Sequence, residues 1–259
     1  MSAAYAHYRF ASEVLPALDP AVRTQVSRFR GVFDTGAQGP DFFFYYNPLF
    51  PTVQRNLGTK FHSQTGTAFF ASAVRRLKLN PSEVGTAYLY GVLAHYCLDR
   101  EIHAYIHEKE SEGCPFDHVE MESEFDRFLL TRDGKIPAHA QDLSRYVKLS
   151  RAECATVAEL YPGGKTRTVV VGVGNMRRLL KLFSSRNRKT TEMVVRLGGK
   201  TALQMLLPRT QAEGMEEIDR DMLAIYDHAR TCYPVLAAQL TALKNTGAEL
   251  GSEFDPTFG

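Results

Sequence analysis

The stretch LAHYCLDREIHAYIHE, residues 93–108, decides the reading of the fold. It spaces His95, Asp99 and His103 four residues apart, so all three project from one side of an α-helix. Around them Val84, Tyr88, Leu89, Val92, Leu93, Leu98, Ile102, Tyr105 and Ile106 recur at threes and fours, a helical and largely apolar pattern. Asn80-Pro81-Ser82-Glu83 supplies the start signal: an N-cap, a proline for the first turn and a glutamate. A neutral polar group buried without a partner costs roughly 2–7 kcal/mol, and a carboxylate costs more. Two imidazoles and a carboxylate on such a helix therefore need compensation. A hydrogen-bonded core histidine accounts for any one of them; a bound divalent metal accounts for all three.

To either side the pattern stays helical. An amphipathic segment over about residues 5–15 stops at Pro16, and a second follows Asp19-Pro20. Residues 34–51, DTGAQGPDFFFYYNPLFP, are punctuated by Gly and Pro and read as an irregular loop. Periodicity resumes from Phe61 to Leu79 and from Pro81 to Lys109, and HVEMESEFDRFLL, residues 118–130, carries another helix. Further helical segments fall near 139–149, 151–161, 166–184, 189–206 and 214–244, with Ser150 and Glu153 spaced for a capping box. Period-two alternation is missing apart from the ambiguous RTVVVGV at 167–173. The expectation is an all-α, single-domain multi-helix bundle over residues 1–245, with 246–259 as a loose tail.

Composition narrows the function classes. The 259 residues are 44% hydrophobic and 23% charged, which is ordinary for a globular protein and excludes a disordered chain. Cys97, Cys114, Cys154 and Cys232 form no CxxC pair, which argues against a disulfide framework and against a thiolate zinc site. The opening MSAAYAHYRFASEVL lacks the basic start and apolar run of a secretory signal. No apolar run is long enough to span a bilayer, so the expected location is cytoplasmic. Charge is uneven. From Lys165 to Lys200 there are ten Lys or Arg residues and one acidic residue, Glu192; with a total of +2, the rest of the chain sums to −7. This segment, with Arg177, Arg178, Lys181, Arg186, Arg188 and Lys189, would attract a phosphate-bearing substrate or an anionic membrane surface, or is simply a solvated helix face.

His118 and Glu122 repeat the four-residue spacing on the next helix, while Asp41 follows Gly39-Pro40, His62 opens a helical segment and His7 lies on the first helix. Singly, each has an ordinary explanation: Asp41 as a turn or cap residue, His62 as a cap or core histidine, His7 as an exposed one. Together, five histidines and three carboxylates without a thiolate suit zinc or another borderline divalent metal.

This ordered series resembles the zinc-dependent phospholipase C family, and within it the intracellular bacterial branch. The resemblance rests on His7, on Gly39-Pro40-Asp41 followed by aromatics, on His62, on AHYCLDREIHAYI with His95, Asp99 and His103, and on HVEMESEFD with His118 and Glu122. It covers residues 5 to about 130 and implies an α-helical protein with up to three metals. Asp41, His62, His95 and Asp99 would hold the first and His103, His118 and Glu122 the second; Asp99 would bridge to a third held also by His7. In the secreted relatives a processed N-terminal Trp completes the third site. This chain has no Trp, so that site would draw on the initiator amine or Tyr5, or stay empty.

The implied activity is hydrolysis of a phosphoric ester, such as a phospholipid, by a water activated between Zn2+ ions. Asp41 would be the catalytic carboxylate that orients this water or takes its proton. Phe42, Phe43, Phe44, Tyr45 and Tyr46 either offer aromatic surface to a substrate or pack the loop into the core. Fungal-type single-strand nucleases share the constellation but end it in Asp, so Glu122 favours the phospholipase side over nucleic acid. A non-catalytic metal-binding helical scaffold is the third reading. An HD-type phosphohydrolase would need an adjacent His-Asp pair, and only the reversed order occurs, at Asp117-His118 and Asp227-His228.

Overall fold

The computed structural model describes residues 3–47, 52–184, 188–196 and 199–259. In chain order the helices are α1 (Ala4–Val14), α2 (Pro20–Arg28), α3 (Arg30–Gly36), α4 (Val53–His62), α5 (Gly66–Leu79) and α6 (Glu83–Ser111). They continue as α7 (His118–Arg132), α8 (Arg151–Leu160), α9 (Thr166–Phe183), α10 (Arg188–Val195), α11 (Gly199–Gln204) and α12 (Met215–Thr246). Among the described residues there is no strand, only an isolated bridge between Thr65 and Thr257. The expected all-α bundle is the fold. No described helix is long and apolar enough to cross a membrane.

The axis of the bundle is α6, buried on every side from Gly85 to Asp99 and wrapped by α1, α3, α8 and α12. Its N-cap is Ser82, whose hydroxyl accepts the Gly85 N–H, rather than the expected Asn80. The Asn80 amide donates instead to Glu159. Such an all-round apolar helix needs neighbours that come close, and α3 does so at paired glycines. A Cβ on Gly36 would stand 2.4 Å from the Tyr88 carbonyl oxygen, and one on Gly91 would stand 2.2 Å from that of Phe33. This approach lays the chain after α3, including a 3-10 turn at Gly39–Phe43, directly over His95.

Several local expectations change. The segment read as one helix from Phe61 to Leu79 is the end of α4 and all of α5, because the Thr65 hydroxyl caps Ala68 N–H and starts a new helix. Residues 139–149 are not helical. They hold short 3-10 turns at Ala138–Ala140 and Leu143–Tyr146, the second started by Asp142 accepting the Ser144 N–H. RTVVVGV lies within α9, where Val169, Gly172, Val173 and Met176 form the buried face. The segment 189–206 is divided between α10 and α11. The capping box at Ser150 and Glu153 is present, and Asp117 with Glu120 makes a second one at the start of α7.

The expected loose tail over 246–259 is a correction. One hydrophobic cluster runs from Ala3 to Phe258, with a smaller one formed by Phe183, Val195 and Leu206. Phe254 and Phe258 are both fully buried in the main cluster. Burying a Phe side chain is worth about 1.5–3 kcal/mol, which is reason enough for a polar segment to stay packed.

Candidate metal centre

Five elements carry the acidic and imidazole side chains to one place. Helix α6 presents His95, Asp99 and His103 as the four-residue spacing requires, and α7 presents His118 and Glu122 in the same way. The first helix is pinned by α7: the Asp126 carboxylate accepts the N–H groups of Tyr5 at 3.0 Å and Ala6 at 2.8 Å, satisfying donors that a helix start leaves open. His7, one residue further on, is thereby turned toward α6. Asp126 was not singled out in the sequence, although it extends the spacing of His118 and Glu122 by four more residues. Asp41 sits in the 3-10 turn after Gly39, whose φ of 52° lies in the left-handed region. A Cβ at Gly39 would meet the His95 ring at 2.1 Å, so glycine lets the loop reach the imidazole. His62 is the last residue of α4; its Nδ1 pairs with the Gly58 carbonyl at 2.8 Å, which leaves Nε2 facing Asp41.

Asp99 is the hub. Its Oδ1 lies 3.4 Å from His7 Nε2 and 3.4 Å from His103 Nε2; its Oδ2 lies 3.3 Å from His95 Nε2 and 3.8 Å from His62 Nε2. Glu122 Oε1 stands 3.5 Å from His103 Nε2 and 3.4 Å from His118 Nε2. Most of these separations are too long for N–H···O hydrogen bonds, which fall at about 2.7–3.2 Å. They fit another arrangement. Two N or O ligands at about 2.0–2.1 Å from one zinc, at the tetrahedral angle, lie about 3.3 Å apart. His62 Nε2 and Asp41 Oδ1, at 3.0 Å, are the pair close enough for a direct bond.

Three groups of potential ligands result: Asp41, His62 and His95; His7, His95 and Asp99; and His103, His118 and Glu122. All eight sequence candidates are thus brought together. A further group, which the sequence reading did not anticipate, joins His118 to His107 and Glu110 at the surface. The donor set is imidazole and carboxylate throughout, the mix that zinc accepts. Buried atoms without a hydrogen-bond partner include His7 Nδ1, both ring nitrogens of His95, Asp99 Oδ2 and His103 Nε2. Each such atom costs about 1–3 kcal/mol when left unsatisfied, and a metal ion is what several converging lone pairs lack. The residues present fit the ion.

The electrostatics point the same way. Burial would raise the Asp99 carboxyl, but His103, His95 and His7 hold it well below the usual carboxylate range. Burial likewise opposes ionisation of Asp41, yet His62 and His95 keep it at about 2. Glu122 is lowered against burial by His103 and His118. His7 and His62 are raised because Asp99 and Asp41 outweigh burial, while burial wins at His95 and pushes it down.

The rim is less aromatic than the sequence allowed. Of the aromatic run, Phe42, Phe43 and Tyr45 are buried, with Phe42 and Phe43 edge-on to Tyr161; Phe44 and Tyr46 remain partly accessible. The loop is tied to α9, where the Asn175 amide donates to the Tyr45 carbonyl at 3.1 Å. The outer face of α9 exposes Arg167, Arg177, Arg178 and Lys181. Arg186 and the side chains of Arg188 and Lys189 lie outside the described residues.

The family model for zinc dependent phospholipase C matches residues 6–160, more than half of the chain and the part that holds all eight candidate ligands from His7 to Glu122. The chain belongs to the zinc-dependent phospholipase C family. As a member of that family it has the all-α fold and clusters of His, Asp and Glu able to bind metal. No curated protein and no solved structure matches this phospholipase C-family chain.

Proposed function

We propose that the protein is a phosphoric-ester hydrolase of the phospholipase C type, with two or three zinc ions held by His7, Asp41, His62, His95, Asp99, His103, His118 and Glu122. The observation that carries this reading is the set of 3.3–3.5 Å separations around Asp99 and Glu122, spaced for shared ions rather than for hydrogen bonds. Bound zinc supplies Lewis acidity, which makes water nucleophilic near neutral pH and offsets the charge that builds on a phosphate ester.

The chain's own residues do the rest. Asp99, ionised and central, fixes the spacing between the ligand groups. Asp41 comes from a loop rather than from the rigid helix pair and stays ionised down to about pH 2, so its carboxylate accepts a hydrogen bond from the attacking water and aims it. Attack breaks the ester P–O bond, adds the water oxygen and releases an alcohol and a phosphate monoester, with inversion at phosphorus. The basic face of α9, anchored to the Asp41 loop, supports a lipid phosphate presented at an anionic surface.

Metal content of protein purified without added metal, by plasma mass spectrometry, is the first test, and two or three zinc ions per chain is the expected result. Release of diacylglycerol from phospholipid vesicles or hydrolysis of p-nitrophenyl phosphorylcholine should follow. Degradation of single-stranded nucleic acid instead would move the reading to a nuclease. No metal, and none taken up on titration, would overturn it.

A further inference from the structure

Residues 252–259 fold back over the metal centre. After a 3-10 turn at Ser252–Phe254, the Pro256 carbonyl accepts the Gly66 N–H at 3.0 Å and the Tyr96 hydroxyl at 3.1 Å. The Phe258 N–H then donates to the His62 carbonyl at 3.1 Å. His62 closes α4, so that carbonyl has no partner within its own helix, and the terminal segment supplies one. The Phe258 ring is fully buried against Phe69, Phe70 and Tyr96. Its centre lies 6.4 Å from the His62 ring and 6.2 Å from the His95 ring. Gly259 lies against His103, where a Cβ would come within 1.7 Å of Nδ1. One segment with no ligand motif of its own thus borders three imidazoles of the centre.

His62 stands at the end of α4 and Asp41 in a turn, so their placement depends on what packs against them as well as on helix geometry. We propose that Phe258 is a positioning residue of the metal centre, and that residues 256–259 form a wall that fixes His62 and His95 and closes the His103 side. The consequence for metal rests on the phosphohydrolase reading above; the positioning of the imidazoles does not. Phe258 ties the end of α4 to α5 and α6 and denies the His62 and His95 rings other orientations. A side chain that orients a metal-binding histidine typically contributes ~10–100-fold in affinity.

The test compares the full chain with Phe258→Ala and Phe258→Leu by two measurements. One is deuterium exchange at the C2 position of each histidine ring in metal-free protein; the other is zinc affinity against a competing chelator. Phe258→Ala should speed exchange at His62 and His95 several-fold while His118, on α7, keeps its rate. Zinc binding should weaken ~10-fold or more, and Phe258→Leu should recover most of both. Unchanged exchange and affinity in Phe258→Ala, with only a lower Tm, would overturn the proposal and leave Phe258 as core packing. Faster exchange at His62 in a chain that takes up no zinc even as wild type would support the positioning and sink the metal reading alone. If Phe258→Ala does not fold, Gly259→Ala keeps the core ring and probes the same wall: altered exchange at His103 supports it, and an unaltered rate overturns it.

Discussion

The inner and outer sides of the centre are made from the same residue types but stand in different surroundings. Inside, His7 and His95 are 5% and 1% exposed, and their rings lie 4.3 Å apart beneath the Gly39 turn and Phe258. Outside, the His118 side chain is 26% exposed and adjoins His107 and Glu110, both at the surface. A buried imidazole needs a fixed partner for its nitrogens, a role a bound ion fills, whereas an accessible one exchanges that role with bulk water. The difference teaches where the cluster is open: the inner imidazoles are sealed from solvent, and His118 is not.

The largest effect should come from the residue common to both sides. Asp99→Asn removes the charge faced by four imidazoles, His7, His62, His95 and His103. It should abolish activity and lower zinc content by more than one ion per chain, read by plasma mass spectrometry. Retained activity would dissolve the distinction between inner and outer ions, since no shared carboxylate would be needed.

A second effect separates metal-free from zinc-loaded protein. Burial disfavours the charged forms of His7, His62 and His118, but the facing carboxylates of Asp99, Asp41 and Glu122 outweigh it and raise all three. Burial also pushes Asp126 and Asp219 up to about 7. Groups raised by folding stabilise the fold fully below their ordinary values, and that contribution is lost as pH rises through the raised ones. Metal-free protein should therefore lose Tm as pH rises toward about 7 and on past the ordinary histidine value of about 6.5. Zinc requires the same imidazoles deprotonated, so loaded protein should gain Tm over the same rise in pH. Calorimetry at matched pH values, with and without zinc, checks this; parallel curves would break the assignment of these histidines as ligands.

The smallest effect sharpens the outer side. His107→Ala should leave the count of tightly bound zinc unchanged and keep most activity. Loss of one tight ion in this variant would mean that His118 works with His107 and Glu110 rather than with His103 and Glu122.

How much of this was legible follows from the range of the interactions involved. His95, Asp99 and His103, and again His118 and Glu122, are set by helical geometry within a few residues, so their common face could be read directly. The capping box at Ser150 and Glu153 is equally local. The resemblance to a family aligned Asp41, His62 and His7 with them, but nothing in their spacing required a meeting. The helix expected over 139–149 was lost to a competing local bond, Asp142 to Ser144 N–H, which favours a short turn.

By itself, then, the sequence determined an all-α chain, the central helix and the shared faces of His95, Asp99 and His103 and of His118 and Glu122, because periodicity and motif are properties of short stretches. Tertiary structure alone decided three further things. Asp126 anchors the first helix so that His7 faces Asp99, glycines at 36, 39 and 91 let the Asp41 turn down onto His95, and the terminal segment packs rather than trails. Phe254 and Phe258 show why. Two aromatics in a short polar run have no period to betray them, and their burial depends on a groove built by α4, α5 and α6 from residues far away in the chain.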